Sequence, residues 1–117
     1  MARADRQPAL SLRVILRKGS AFGPGKAELL ERIRDTGSIA AAGRQMKMSY
    51  TRAWGLVVAM NHDFAAPLVH SAKGGAQRGG AVLTALGAEV LHRYRRIQAG
   101  SARLAAADLR ALRRKLR

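Results

Sequence analysis

The residues best equipped to recognise another molecule lie together at Ser49-Tyr50-Thr51-Arg52. Ser49 is of the type that caps a helix N-terminus, so the residues after it open a helix and surround its free end. Arg52 offers a planar fork of donors that fits a guanine edge or a phosphate, and Thr51 a hydroxyl for base or backbone. Ser38 offers a second cap upstream, and exposed amides at a helix N-terminus favour a phosphate. Arg44 and Lys47 stand between the two serines. The bland reading is an ordinary helical pair whose serines only cap and whose cations are solvated.

Other chemistry finds little support. His62, His70 and His92 fall in different segments, none with a second His at metal-ligand spacing. The seven carboxylates show no pairing suited to acid–base work. Ser20-Ala21-Phe22-Gly23-Pro24-Gly25-Lys26-Ala27 has the placement of a phosphate-binding P-loop. It lacks the first glycine, where Ser20 stands, and the hydroxyl for magnesium, where Ala27 stands. With no cysteines, disulfides and thiolate metal sites are excluded. No enzyme, metal or cofactor is expected.

Charge narrows the partners. Lys and Arg number 22 against 7 Asp and Glu, a formal net charge of +15. Such a field draws in polyanions. The 117 residues suffice for one domain. With aromatics at 4%, its core must come from Leu, Val, Ile, Met and Ala. The first residues hold no apolar run suited to a signal peptide, and no run is long enough to span a membrane. A cytoplasmic protein without membrane contact is expected.

The pattern along the chain positions these residues. Ser11–Arg17 alternates, with Leu12, Val14 and Leu16 on one side and Arg13, Ile15 and Arg17 on the other, which predicts a strand. Residues 18–25 read as a loop. Pro24 suits a helix start. Leu29, Leu30 and Ile33 form an apolar stripe over 26–36, and Gly37 ends it. A short alanine-rich helix follows from Ile39 to about Met46, then a turn at Lys47-Met48. A third helix is predicted from Tyr50 to about Asp63, with Ala53, Trp54, Val57, Val58 and Met60 on its buried side. Trp54 is assigned to the core.

Residues 67–71 and 81–84 read as two short strands around the glycine-rich Lys73-Gly74-Gly75-Ala76-Gln77-Arg78-Gly79-Gly80. Lys73 and Arg78 there would meet phosphate or a minor groove; the alternative is a hairpin tip with two solvated charges. Thr84 caps a further helix in which Leu86, Val90, Tyr94 and Ile97 recur at helical spacing. Gly100-Ser101 is expected to interrupt it. From 103 to 117, six cations oppose Asp108 alone, which suits either a DNA-clamping tail or a solvated helix end.

The order of strand, three helices, hairpin and helix predicts a mainly α fold with a small β hairpin (α+β), a winged helix-turn-helix with a long C-terminal helix. In that arrangement the helix after Ser49 enters a major groove, and the preceding one lies across the backbone. Residues 1–11 read as a disordered arm, 12–98 as the winged helix-turn-helix and 99–117 as a basic C-terminal helix or tail.

Motifs in this order resemble those of a known family. They are Phe22-Gly23-Pro24-Gly25-Lys26 with Leu29-Leu30, Gly37-Ser38-Ile39, Met48-Ser49-Tyr50 with Arg52-Ala53-Trp54, and Asn61. Pro67-Leu68-Val69, Gly74-Gly75, Gly79-Gly80-Ala81 and Leu83-Thr84 with Gly87 complete the set. From about Leu12 to Gln98 the chain resembles the N-terminal domain of ModE, the molybdate-responsive regulators of bacteria, itself similar to the winged helix of LysR-type regulators. The resemblance implies a homodimer on double-stranded DNA, a recognition helix starting near Ser49 and a wing between Gly74 and Gly80. It also implies dimerisation through the helix that carries Leu86, Val90, Tyr94 and Ile97. The expected DNA contacts are Ser38, Arg44, Lys47, Ser49, Tyr50, Thr51, Arg52, Lys73, Gln77 and Arg78, where Ala76-Gln77 replaces glycines common in the family. Full-length members bind molybdate in small β-barrel domains, for which this sequence has no counterpart before Arg117, so molybdate is not an expected ligand. The expected function is a sequence-specific transcriptional regulator. A non-specific nucleoid or RNA-binding protein, an adaptor docking through Leu104–Leu116, and a regulator that still senses molybdate are the alternatives.

Overall fold

The computed structural model describes residues 10–72 and 80–117. Most of the proposed arm, and the loop carrying Lys73, Gln77 and Arg78, lie outside the described residues. The elements run β1 (Val14–Arg17), β2 (Ser20–Phe22), α1 (Pro24–Thr36), α2 (Ile39–Gln45), α3 (Tyr50–Asp63), β3 (Val69–Ala72), β4 (Gly80–Leu83) and α4 (Ala85–Arg113). The expected class holds: a winged helix, mainly α, with small antiparallel sheets and a long last helix.

Two expectations at the N-terminal end need correction. The strand begins at Val14 rather than Ser11, and the supposed loop contains β2, which pairs antiparallel with β1. Gly19, at φ 83°, makes the tight turn between them. The predicted alternation holds through Ile15 and then fails. A register shift between Ile15 and Arg17 turns Leu16 to solvent.

Pro24 occupies the first turn of α1, whose Ala27, Leu29, Leu30 and Ile33 are fully buried. Gly37 ends the helix at φ 70°, its N–H donating to the Ile33 carbonyl at 2.8 Å. Chain reversal there starts α2 at once. Gly43 of α2 is buried against α3, and a Cβ on it would stand 3.1 Å from the Ala53 Cβ. That glycine lets the two helices of the motif approach closely.

Asn61 fixes the hairpin to α3. Its side-chain carbonyl accepts from the Leu68 and Val69 amides (2.8 and 3.1 Å), and its NH₂ donates to the Val69 carbonyl at 3.1 Å. Asn61→Ala would strand these groups beside buried Leu68 and Val69. A loss of about 2 kcal/mol is expected, since each unsatisfied buried group costs ~1–3 kcal/mol. Urea denaturation is the check; a midpoint unchanged from wild type would show that the hairpin is held by other means.

The α4 helix runs through Gly100 and Ser101 without a break, contrary to expectation. A single helix glycine costs only about 1 kcal/mol, and the flanking Ala, Leu, Arg and Gln are strong helix formers. The proposed boundary at 98/99 therefore falls inside one helix of about 43 Å, given its 29 residues. Tyr94 is buried at 3% exposure, edge-on to Phe22 with centroids 5.3 Å apart, and its hydroxyl donates to the Leu12 carbonyl at 2.6 Å. Arg95 donates to both Glu31 carboxylate oxygens (3.0 and 2.7 Å), tying α4 to α1.

Burial raises the Tyr94 pKa, an effect the adjacent Arg95 partly opposes. A raised phenol pKa stabilises the fold below the unfolded value near 10 and ceases to do so as pH rises through the folded value. Thermal melts should therefore fall more steeply above pH ~10 for wild type than for Tyr94→Phe. Parallel curves would contradict this role.

Candidate nucleic-acid interface

Two caps and a left-handed turn build the candidate surface. The Ser38 Oγ accepts from the Ala41 N–H at 3.0 Å and starts α2; the Ser49 Oγ accepts from the Arg52 N–H at 3.0 Å and starts α3. Between them Lys47 adopts φ 59°, and the Met48 N–H donates back to the Gly43 carbonyl at 3.0 Å. The turn thus stays short while its lysine side chain is free of the core.

The structure brings most of the expected contacts onto one helix-turn-helix. Ser49, Tyr50, Thr51 and Arg52 are all exposed at the N-terminal end of α3, and Arg44 and Lys47 are exposed beside it. Ser38 is half-buried, its hydroxyl engaged in capping. No acidic residue occurs from Thr36 to His62. Glu28, Glu31, Asp35 and Glu89 pair with Arg32, Arg95, Arg34 and Arg93 on α1 and α4. Among the described residues Arg44, Lys47 and Arg52 therefore have no carboxylate partner, and their charge faces solvent.

The hairpin base adjoins this surface. The Ala81 N–H donates to the Gly37 carbonyl at 2.8 Å, and Gly80 forms a bridge with Ser38. The two ends of the glycine-rich loop, Ala72 and Gly80, are paired in the sheet. The loop residues expected to touch DNA lie outside the described residues, but their anchor is next to the start of α2.

Trp54 requires a correction. It is not core but 43% exposed, stacked on Tyr50 with ring centroids 6.4 Å apart and planes 17° apart. Val58, also expected inside, is 48% exposed. The buried side of α3 is Ala53, Val57 and Met60, and Trp54 sits at its edge, 100° around the helix from Ala53. The i, i+4, i+8 spacing of Tyr50, Trp54 and Val58 was the signal that could have shown an outward apolar row.

The expected dimer stripe also divides. Tyr94 belongs to the protomer core and is not available to a partner, whereas Ile97 is exposed and Leu86 and Val90 are half-buried against the core. Leu104, at 89% exposure, and Leu112 extend the outward apolar positions. His62, His70 and His92 are exposed on three different elements.

No family model matches the chain. Relatives do. Over 91 residues it is 46% identical to the molybdenum-pterin-binding protein MopB of Rhodobacter capsulatus, covering 78% of this chain and 34% of that protein. Identity is 36% to the molybdenum transport protein ModE of Azotobacter vinelandii (68% of this chain, 30% of that one). It is 34% to the transcriptional regulator ModE of Haemophilus influenzae (71% and 32%). The chain thus spans about one third of the length of these relatives. In structure it is similar to the LysR-type DNA-binding domain of CbnR, solved as a DNA complex, with a TM-score of 0.58 at 22% identity over 75% of this chain and 95% of that one. The sequence makes the chain a relative of the ModE N-terminal domain, and its fold is that of a winged helix.

Proposed function

We propose that the protein is a transcriptional regulator that binds duplex DNA sequence-specifically through the N-terminal end of α3. The observation that carries this reading is the exposed Ser49–Arg52 end, set with exposed Arg44 and Lys47 in a stretch, residues 36–62, that contains no acidic residue. The relative named as the transcriptional regulator ModE, and the fold of a domain solved on DNA, support it. In this reading the function is binding without covalent chemistry, in the cytoplasm, where duplex DNA would be met.

The functional unit in this reading is a homodimer. Ile97, Leu104 and Leu112 leave an apolar row uncovered along α4, and two copies packing there would bury it. Two recognition helices would then meet major grooves roughly 34–36 Å apart on a near-palindromic operator. In vitro selection from random duplexes, followed by affinity measurements over a salt series, tests the proposal. A two-fold-related motif is expected, with affinity falling about 10³–10⁵-fold between 50 and 200 mM salt if ~6–10 phosphates are neutralised. The +15 charge alone would support non-specific binding. Steep salt dependence without any selected motif is the result that would favour that second reading.

A further inference from the structure

The fold leaves Tyr50 and Trp54 without a structural task. Both rings are outside the core, at 56% and 43% exposure, yet they stack on each other. Large apolar side chains left in water cost free energy that burial would recover. What covers them is constrained by position and charge. Tyr50 is the first residue of α3 and Trp54 lies one turn further in, about 6 Å along the axis. Arg52, Lys47 and Arg44 are exposed in the same helix-turn-helix, and none of them has an ion-pair partner among the described residues. A second copy of a chain of net charge +15 would meet like charge on this face, whereas a polyanion would be drawn to it.

Taking the proposed DNA-binding role as the premise, we infer that Tyr50 and Trp54 form an apolar reader of the major groove that selects thymine through its C5-methyl group. That methyl is the apolar mark which distinguishes base pairs in the major groove, where the other edges offer hydrogen-bond donors and acceptors. An indole one turn into the helix reaches past the terminal Ser49–Arg52 contacts, and a rise of about 6 Å corresponds to roughly two base-pair steps. Tyr50 supports the indole from the N-terminal side, holding its face in one orientation. Arg52, two residues from Trp54 and about 200° around the helix, supplies its polar contact from the other flank of the same helix.

The experiment uses the duplex obtained by selection, with each thymidine replaced singly by deoxyuridine, which removes only the methyl. Wild type, Trp54→Ala and Trp54→Phe are titrated against each duplex, with far-UV circular dichroism to verify folding. For wild type, deoxyuridine at one or two positions should weaken binding about 4-fold, the equivalent of one buried methyl. The same replacements should leave Trp54→Ala unchanged, and Trp54→Phe should keep most of the discrimination. Trp54 is the single tryptophan, so its fluorescence should also respond more to the thymine duplex than to the deoxyuridine one. A Trp54→Ala variant that loses the same factor relative to wild type on both duplexes, and so keeps the wild-type preference for thymine, would mean packing on sugar and phosphate and would overturn the inference. So would a wild type indifferent to deoxyuridine at every position, although sequence-specific binding would survive that result. Failure of selection to return any motif would remove the premise and the inference together.

Discussion

Replacing Gly87 by alanine is expected to destabilise the protein by about 3 kcal/mol or more, towards the upper end of what overpacking costs. A Cβ at this position would lie 2.2 Å from the Leu68 carbonyl oxygen and 3.0 Å from its carbon. Both are backbone atoms, so no rotamer change can relieve the overlap. Nor can the segments drift apart easily. The Thr84 N–H donates to the same Leu68 carbonyl at 2.9 Å, and the Thr84 hydroxyl donates to the Pro67 carbonyl at 2.8 Å while accepting from the Gly87 N–H. Leu68 itself is fully buried. Separating α4 from this strand entrance would break the cap, the hydrogen bond and the core contact at once. For a domain of this size the change corresponds to a melting temperature lower by roughly 10 °C or more. Gly100→Ala is the matched control: its nearest neighbour is the Arg103 guanidinium at 3.8 Å, and a gain of up to about 1 kcal/mol is expected from helix propensity. Equal melting temperatures for the two variants would refute the close approach of α4 to Leu68.

Arg52→Ala should act on recognition and spare stability. The capping bond at this position uses the backbone N–H of Arg52, which alanine retains, and the guanidinium has no ion-pair partner among the described residues. The cap therefore survives while the fork of donors disappears. If that fork bonds a guanine edge, discrimination at one base pair falls by about 1–3 kcal/mol, or roughly 5- to 150-fold, with the melting temperature almost unchanged. Lys47→Ala on the same surface removes a compact charge suited to phosphate, so it should weaken all duplexes alike and reduce the salt slope by about one. Competition binding against operators with single base changes separates the two patterns. A uniform loss for Arg52→Ala would reassign it to the phosphate backbone.

Much of this arrangement was legible in the sequence because it rests on local chemistry. Ser38, Ser49 and Thr84 each precede a periodic run, and each caps a helix as its side chain dictates. Gly37 marks a helix end that needs a positive φ. What failed depended on distant packing or on short patterns. Three residues of β2 between glycines are too few to show a period, and only pairing with β1 defines them. Gly100 looked like a break because Gly-Ser often is one, yet one weak residue does not outweigh its helix-forming neighbours. Trp54 was assigned inward with its neighbours Ala53 and Val57; its place at the edge of the buried arc, stacked on Tyr50, is decided by tertiary packing. Asn61 and Gly87 gave no local hint of their tasks, since both act on a segment that only the fold brings near.

The absence of cysteine makes a direct test of the central claim simple. Thr51→Cys, at the exposed start of α3, can carry a tethered iron–EDTA cleavage reagent, with Leu104→Cys on the outer face of α4 as the comparison. Localised strand scission in the major groove of each half-site from position 51, and none of that pattern from position 104, is the predicted result. Diffuse scission from position 51, indistinguishable from that of position 104, would contradict the placement of α3 against DNA.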